Sequence, residues 1–97
     1  MRNDDFEWDD TKAATNFVDH GVSFERACLV FSDPFAVGEI DDREDYGEER
    51  FTVVGMVEGV LIFVAYTERG TRLRIISARR AVKHEQDDYY QQNGQAP

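Results

Sequence analysis

The chain has 97 residues, 41% of them hydrophobic and 12% aromatic, which is room for one globular domain with one modest core and argues against a disordered chain. Cys28 is the only cysteine, so no internal disulfide forms, and no Cys/His cluster has zinc-ligand spacing. No apolar run approaches the roughly 20 residues that span a bilayer, and the acidic start Met1 to Asp10 is unlike a signal peptide, so the expectation is a cytoplasmic protein with no metal, no cofactor and no membrane contact.

Taken in chain order, Phe6-Glu7-Trp8-Asp9 alternates apolar and polar residues as a short strand does. Asp9, Asp10 and Thr11 offer N-caps for a first helix, on which Ala13 with Phe17 and Ala14 with Val18 make an apolar stripe. His20-Gly21 closes it, the glycine being free to turn left-handed. Ser23 caps a second helix, with Val22 stapled on Ala27, and Phe24, Ala27, Cys28 and Phe31 repeat at helical spacing as far as Asp33-Pro34. Cys28 falls on the apolar side as a buried thiol.

Strands follow over residues 35–40, 51–57, 60–67 and 72–78. An acidic loop, 41–49, separates the first two, the hairpin turn Glu58-Gly59 joins the next two, and Arg69-Gly70 lies in the last turn. A final helix covers about residues 82–91. The expected fold is a single α+β domain, residues 1–97, with two N-terminal helices, a mainly antiparallel meander and a C-terminal helix, the helices covering one sheet face. Residues 6–91 should be ordered and 92–97 a flexible tail.

The net charge of −9 disfavours simple nucleic-acid binding, but it is unevenly spread. Residues 1–49 carry 15 acidic and 4 basic side chains, residues 50–97 carry 5 and 7, and Arg69 to Lys83 holds six cations and no anion. Strand alternation turns Phe51, Val53, Leu73 and Ile75 toward the helices and collects Arg50, Arg72 and Arg74 on the other face. Glu48 joins them if the strand extends that far. Either these arginines serve a phosphate or they are solvated and paired with the many acids.

The residues now on the page resemble the BrnT toxin family. The likeness lies in Phe6-Glu7-Trp8-Asp9, Lys12, Asn16, His20-Gly21-Val22-Ser23-Phe24-Glu25, Asp33-Pro34, Gly47-Glu48 with Arg50, Tyr66-Thr67-Glu68-Arg69-Gly70 and Arg74-Ile75-Ile76-Ser77-Ala78-Arg79, with Glu85 and Tyr89 in the last helix. The resemblance implies a RelE-like fold and the toxin of a type II toxin–antitoxin module. Such a toxin is a metal-independent endoribonuclease that cleaves RNA, arrests growth and is neutralised by a BrnA-like ribbon-helix-helix antitoxin, which alone contacts operator DNA. Asp19 replaces the family's usual lysine, and Asp87 and Asp88 lie in a helix that is commonly basic, so a non-catalytic or weakened module that binds an antitoxin and corepresses its operator is the alternative.

Metal-free RNA cleavage uses the ribose 2′-hydroxyl as nucleophile, fixed cations on the phosphate and groups that move protons. The candidate catalytic residues are Arg50, Arg74 and Arg79 for the phosphate, and His20 or Glu48 for the proton. Lys12, Arg69, Arg72, Arg80 and Lys83 are candidates for binding RNA. Each has a plainer reading: His20 caps a helix, Lys12 is solvated, Glu48 is one more loop acid, and Glu85 and Tyr89 pack on Arg79. Trp8 reads as a core or interface aromatic and His84 as exposed. Asp41, Asp42, Glu44 and Asp45 lack EF-hand spacing. A basic antitoxin would be steered toward the acidic half.

Overall fold

The computed structural model describes residues 1–94. Strand β1 (Phe6–Glu7) leads into helix α1 (Asp10–His20) and helix α2 (Phe24–Cys28), which tightens into a 3-10 turn, Leu29–Ser32. Strands β2 (Val37–Asp41), β3 (Arg50–Val57), β4 (Val60–Arg69) and β5 (Arg72–Arg80) precede helix α3 (Lys83–Gln92). The expected tail therefore begins as helix at Gln92, and residues 95–97 lie outside the described residues. No helix among the described residues is long and apolar enough to cross a membrane.

Local chemistry sets the helix ends. The Asp9 carboxylate accepts the Lys12 N–H at 2.9 Å, and Gly21, at φ 70°, returns its N–H to the Phe17 carbonyl. Ser23 Oγ accepts the Arg26 N–H at 3.0 Å. The second helix is shorter than the periodicity predicts, because the last apolar residues, Val30 and Phe31, reach the sheet from the tighter 3-10 turn. At the β3–β4 hairpin Glu58 and Gly59 take φ 50° and 80°, the pair of positive angles of a primed turn.

The sheet runs β1-β5-β4-β3-β2. Strands β2 to β5 form the expected antiparallel meander, and β1 alone is parallel to its neighbour, pairing Phe6 with Leu73 and Glu7 with Arg74, which makes the whole sheet mixed. The helices also divide between the faces. Trp8, Val22, Phe24, Ala27 and Val30 pack on Val53, Ile62, Val64 and Ile75, and bury one face, here called the helical face. Helix α3 crosses to the other, open face, where Ala81 and Tyr89 cover Val54 and Leu61. The expectation of all helices on one face fails because β3 and β4 carry apolar residues on both faces in this stretch, and the second set needs its own cover.

Two further expectations change. Phe17 and Val18 are 55% and 83% exposed, and Asn16 is the buried residue of α1. Its side-chain amide donates to the carbonyls of Ala78 (2.8 Å) and Val22 (3.0 Å), and its oxygen accepts the Ala78 N–H (3.1 Å). Asn16 thus completes the edge of β5 where the two-residue β1 has ended. Phe51 and Leu73 are only half-buried, since the helical cover stops short of them. At Gly55 a Cβ would stand 2.7 Å from Val30 Cγ1, so this glycine is what lets the 3-10 turn lie flat on β3.

Candidate functional site

Paired residues in adjacent strands share a face. Register therefore strings Asp41, Arg50, Thr67, Arg74 and Glu7 in one row across all five strands, on the open face. Arg50 and Arg74 stand two strands apart, about 10 Å by strand spacing. Arg69 and Arg72, paired with each other, extend this cationic end. The next row is Glu39, Thr52, Ala65 and Ser77, small except at the β2 edge, and the one beyond holds Val37, Val54, Phe63 and Arg79. The open face is thus a trough with a floor of small side chains, about 13 Å between the two arginine-bearing rows by strand rise.

Arg79 reaches that face through an irregularity. Simple alternation would put Arg74 and Arg79, five positions apart, on opposite faces. Tyr66 pairs with Ile75 but Ala65 pairs with Ser77, so Ile76 is an extra residue, a β-bulge that rephases the strand. The sequence gives no signal for it.

The cations differ in what holds them. Glu7 accepts from Arg74 at 2.7 Å, and the Arg74 guanidinium beside it holds the Glu7 carboxyl below its ordinary range. Glu48 accepts from Arg69 at 3.0 Å, and Asn3 O accepts from Arg72 Nε at 2.6 Å. Glu85 takes Arg79 in two hydrogen bonds of 2.9 and 3.0 Å while the guanidinium stacks on Phe63 at 4.1 Å. Burial pushes the Glu85 carboxyl up, but its bonds from Arg79 and the Val82 N–H outweigh this and leave it below its usual value. Arg50 alone among these five arginines makes no hydrogen bond among the described residues. Its Nε is buried without a partner, and its guanidinium lies 4.1 Å from the centre of the Tyr46 ring. Tyr46 is itself tied to Asp41, whose carboxyl the Arg43 hydrogen bond draws down to about 2.

The row thus brings together Arg50, Arg74, Arg69, Arg72 and, through Arg69, Glu48. It does not bring in His20, which is exposed at the end of α1, a helix packed against the opposite face through Ala13. Lys12 lies in the first turn of the same helix, and Arg80, paired with Ile62, belongs to the helical face. Lys83 is held by Asp87 at 2.6 Å. The Tyr89 hydroxyl donates to Asp33 at 2.7 Å, and Glu85 is the member of that helix that pairs with Arg79. Trp8 is buried edge-on against Phe24. Burial raises the half-buried Cys28 thiol to about 11, which keeps it in its unreactive form.

Sequence reasoning missed Glu7 and Tyr46. Glu7 was accessible to it, being the polar member between Phe6 and Trp8 and so aimed away from the core. Tyr46 lies in a loop with no periodicity to read.

Between β2 and α3 the open face deepens into a groove of about 310 Å³. Arg79 and Arg43 on its walls are already neutralised by Glu85 and Asp41, which leaves Glu39, Asp42 and Asp88 without a cationic partner among the described residues. The groove is anionic, in contrast to the Arg50 end. Among the described residues no group of three or more His, Cys, Asp or Glu is placed to hold a metal ion.

Residues 8–85 match the family described as the ribonuclease toxin BrnT of type II toxin–antitoxin systems. No curated protein matches the chain.

Proposed function

This chain belongs to the BrnT family of ribonuclease toxins of type II toxin–antitoxin systems, and we propose that it is a cytoplasmic, metal-independent endoribonuclease with a RelE-like fold whose cleavage centre is the Arg50–Thr67–Arg74 row. The observation that carries this reading is Arg50, a guanidinium on an uncovered sheet face with a buried Nε that has no acceptor. An incoming phosphate oxygen supplies one. Arg74, oriented by Glu7, stands on the same row to take charge that accumulates on phosphorus. The ribose 2′-oxygen attacks phosphorus, the P–O5′ bond breaks, the 5′-oxygen leaves as a hydroxyl with a proton taken from water, and a 2′,3′-cyclic phosphate remains. Of the two proton-transfer candidates, Glu48 is the one on this side of the sheet, oriented by its hydrogen bond from Arg69, and it is assigned the 2′-proton. Arg69 and Arg72 follow the RNA backbone beyond the site. A BrnA-like ribbon-helix-helix antitoxin neutralises the toxin and carries the contact with operator DNA.

End-labelled RNA incubated with the purified protein tests this. Cleavage should survive EDTA, leave 2′,3′-cyclic phosphate ends and fall about a hundredfold or more in Arg50→Ala, the range seen when one such donor is removed. Cleavage abolished by EDTA, or undiminished in a folded Arg50→Ala, would overturn it. Growth after induction, with and without the neighbouring gene, tests the toxin role.

One observation favours a second reading, a weakened module that binds an antitoxin and corepresses. Three of the five open-face arginines already hold carboxylates, which RNA phosphates must displace. That reading predicts a stable complex with the antitoxin and no growth arrest.

A further inference from the structure

We infer that the outer edge of β2 receives an extended, basic segment of a partner polypeptide as a sixth strand. The sheet has two edges, and the chain closes one of them. Along β1, Arg2 bridges to Glu7, the Trp8 N–H donates to the Met1 carbonyl at 3.0 Å, and the Met1 amino group donates back to Trp8 O at 3.0 Å. Farther along, Asn16 takes over both backbone groups of Ala78. Nothing comparable covers β2. Among the described residues its backbone has no hydrogen bond beyond the ladder to β3, and Gly38, Glu39 and Ile40 are exposed in succession. An open edge of this kind is a template for strand addition.

The side chains flanking the edge select the occupant. On the open face Glu39 stands beside the groove that also carries the uncompensated Asp42 and Asp88. On the helical face Ile40 is 58% exposed beside Phe51. A strand that alternates Lys or Arg with aliphatic residues satisfies both. Residues 37–49 hold seven acidic side chains against Arg43 alone, so a basic segment is also steered to this edge. A second copy of the chain would bring the same acids against one another, and RNA would bring phosphates against them. Asp41 of β2 pairs directly with Arg50, so a strand seated here flanks the proposed cleavage row. The inference rests on the reading of this protein as a toxin held by a protein partner, and it locates that hold.

The test is amide hydrogen exchange on the whole chain, with and without an acetylated seven-residue peptide alternating lysine and valine, and with a glutamate–valine peptide as control. The basic peptide should slow exchange across residues 37–41 at least tenfold, and the double variant Glu39→Lys/Asp42→Lys should lose at least tenfold in affinity with its melting temperature kept. Protection elsewhere, equal binding of both peptides, or no protection overturns the inference. So does protection of 37–41 in the free chain as it dimerises, or on adding an RNA oligonucleotide. RNA cleavage measured on the same samples separates the two readings. Cleavage with an unprotected β2 sinks only this inference, and a protected β2 without cleavage sinks only the nuclease.

Discussion

Arg79 and Glu85 face each other across the turn from β5 into α3 and share two hydrogen bonds of 2.9 and 3.0 Å. The same carboxylate accepts the Val82 N–H at 2.9 Å, so one side chain starts the helix and clamps it to the sheet. An arginine engaged on both arms and stacked on Phe63 is a structural part first.

Glu85→Gln should therefore cost stability, by about 1–3 kcal/mol, because it leaves a half-buried guanidinium without its counterion. Urea denaturation measures this. RNA cleavage by Arg79→Ala should fall far less than in Arg50→Ala. Equal losses in the two variants would mean that Arg79 works on the phosphate after all.

Asn16→Ala removes the partner of two carbonyls and one N–H in a buried place. Unsatisfied groups of this kind cost about 1–3 kcal/mol each when water cannot reach them. A total loss of about 2–5 kcal/mol is expected, with faster amide exchange at Ala78. A loss under about 0.5 kcal/mol would show that this edge needs no cover.

Gly55→Ala should destabilise by about 1–3 kcal/mol, although alanine suits a strand better than glycine does. The new methyl would meet Val30 Cγ1 at 2.7 Å and the Val30 carbonyl oxygen at 3.0 Å. Adding Val30→Ala to it should recover part of the loss, as a double-mutant cycle would read.

Tyr89 gives a pH dependence with a definite sign. Burial, and then its hydrogen bond to Asp33, push its phenol from 10 up to about 12. The neutral form is the one the fold favours. This contribution is present in full below pH 10 and is lost as pH rises through about 12. Absorbance titration of phenolate should show Tyr66 and Tyr89 ionising late, both held up by burial, and Asp33→Asn should bring Tyr89 alone forward. An unshifted titration in Asp33→Asn would remove that carboxylate from the account.

Much of this was legible in the residues. Ser23, Gly21 and Glu58-Gly59 act through their own backbones and neighbours, so their roles are local and the sequence alone carries them. Alternation placed Arg50, Arg72 and Arg74 together for the same reason. What stayed hidden depended on distant partners. The exposure of Phe17 and Val18 follows from Asn16 turning toward Ala78, 62 positions away in the chain. The passage of α3 to the open face depends on Tyr89 finding Asp33, 56 positions away. Glu7 reached Arg74 only because β1 joins the sheet in parallel.

The extra residue at Ile76 makes β5 respond unequally to residues lost and residues gained. Deleting it would restore strict alternation with Ser77 and Arg79 still on the open face and Ala78 still inward, whereas a residue gained there would send Ser77 and Arg79 toward the helical core, turn Ala78 out to solvent and set Asn16 against the wrong backbone groups. The loop 42–49 sits outside any ladder and has no such constraint. Variants that gain a residue should therefore survive in the loop and be purged from 75–78, while loss of Ile76 should be tolerated. A library of single-codon insertions and deletions would expose that contrast directly.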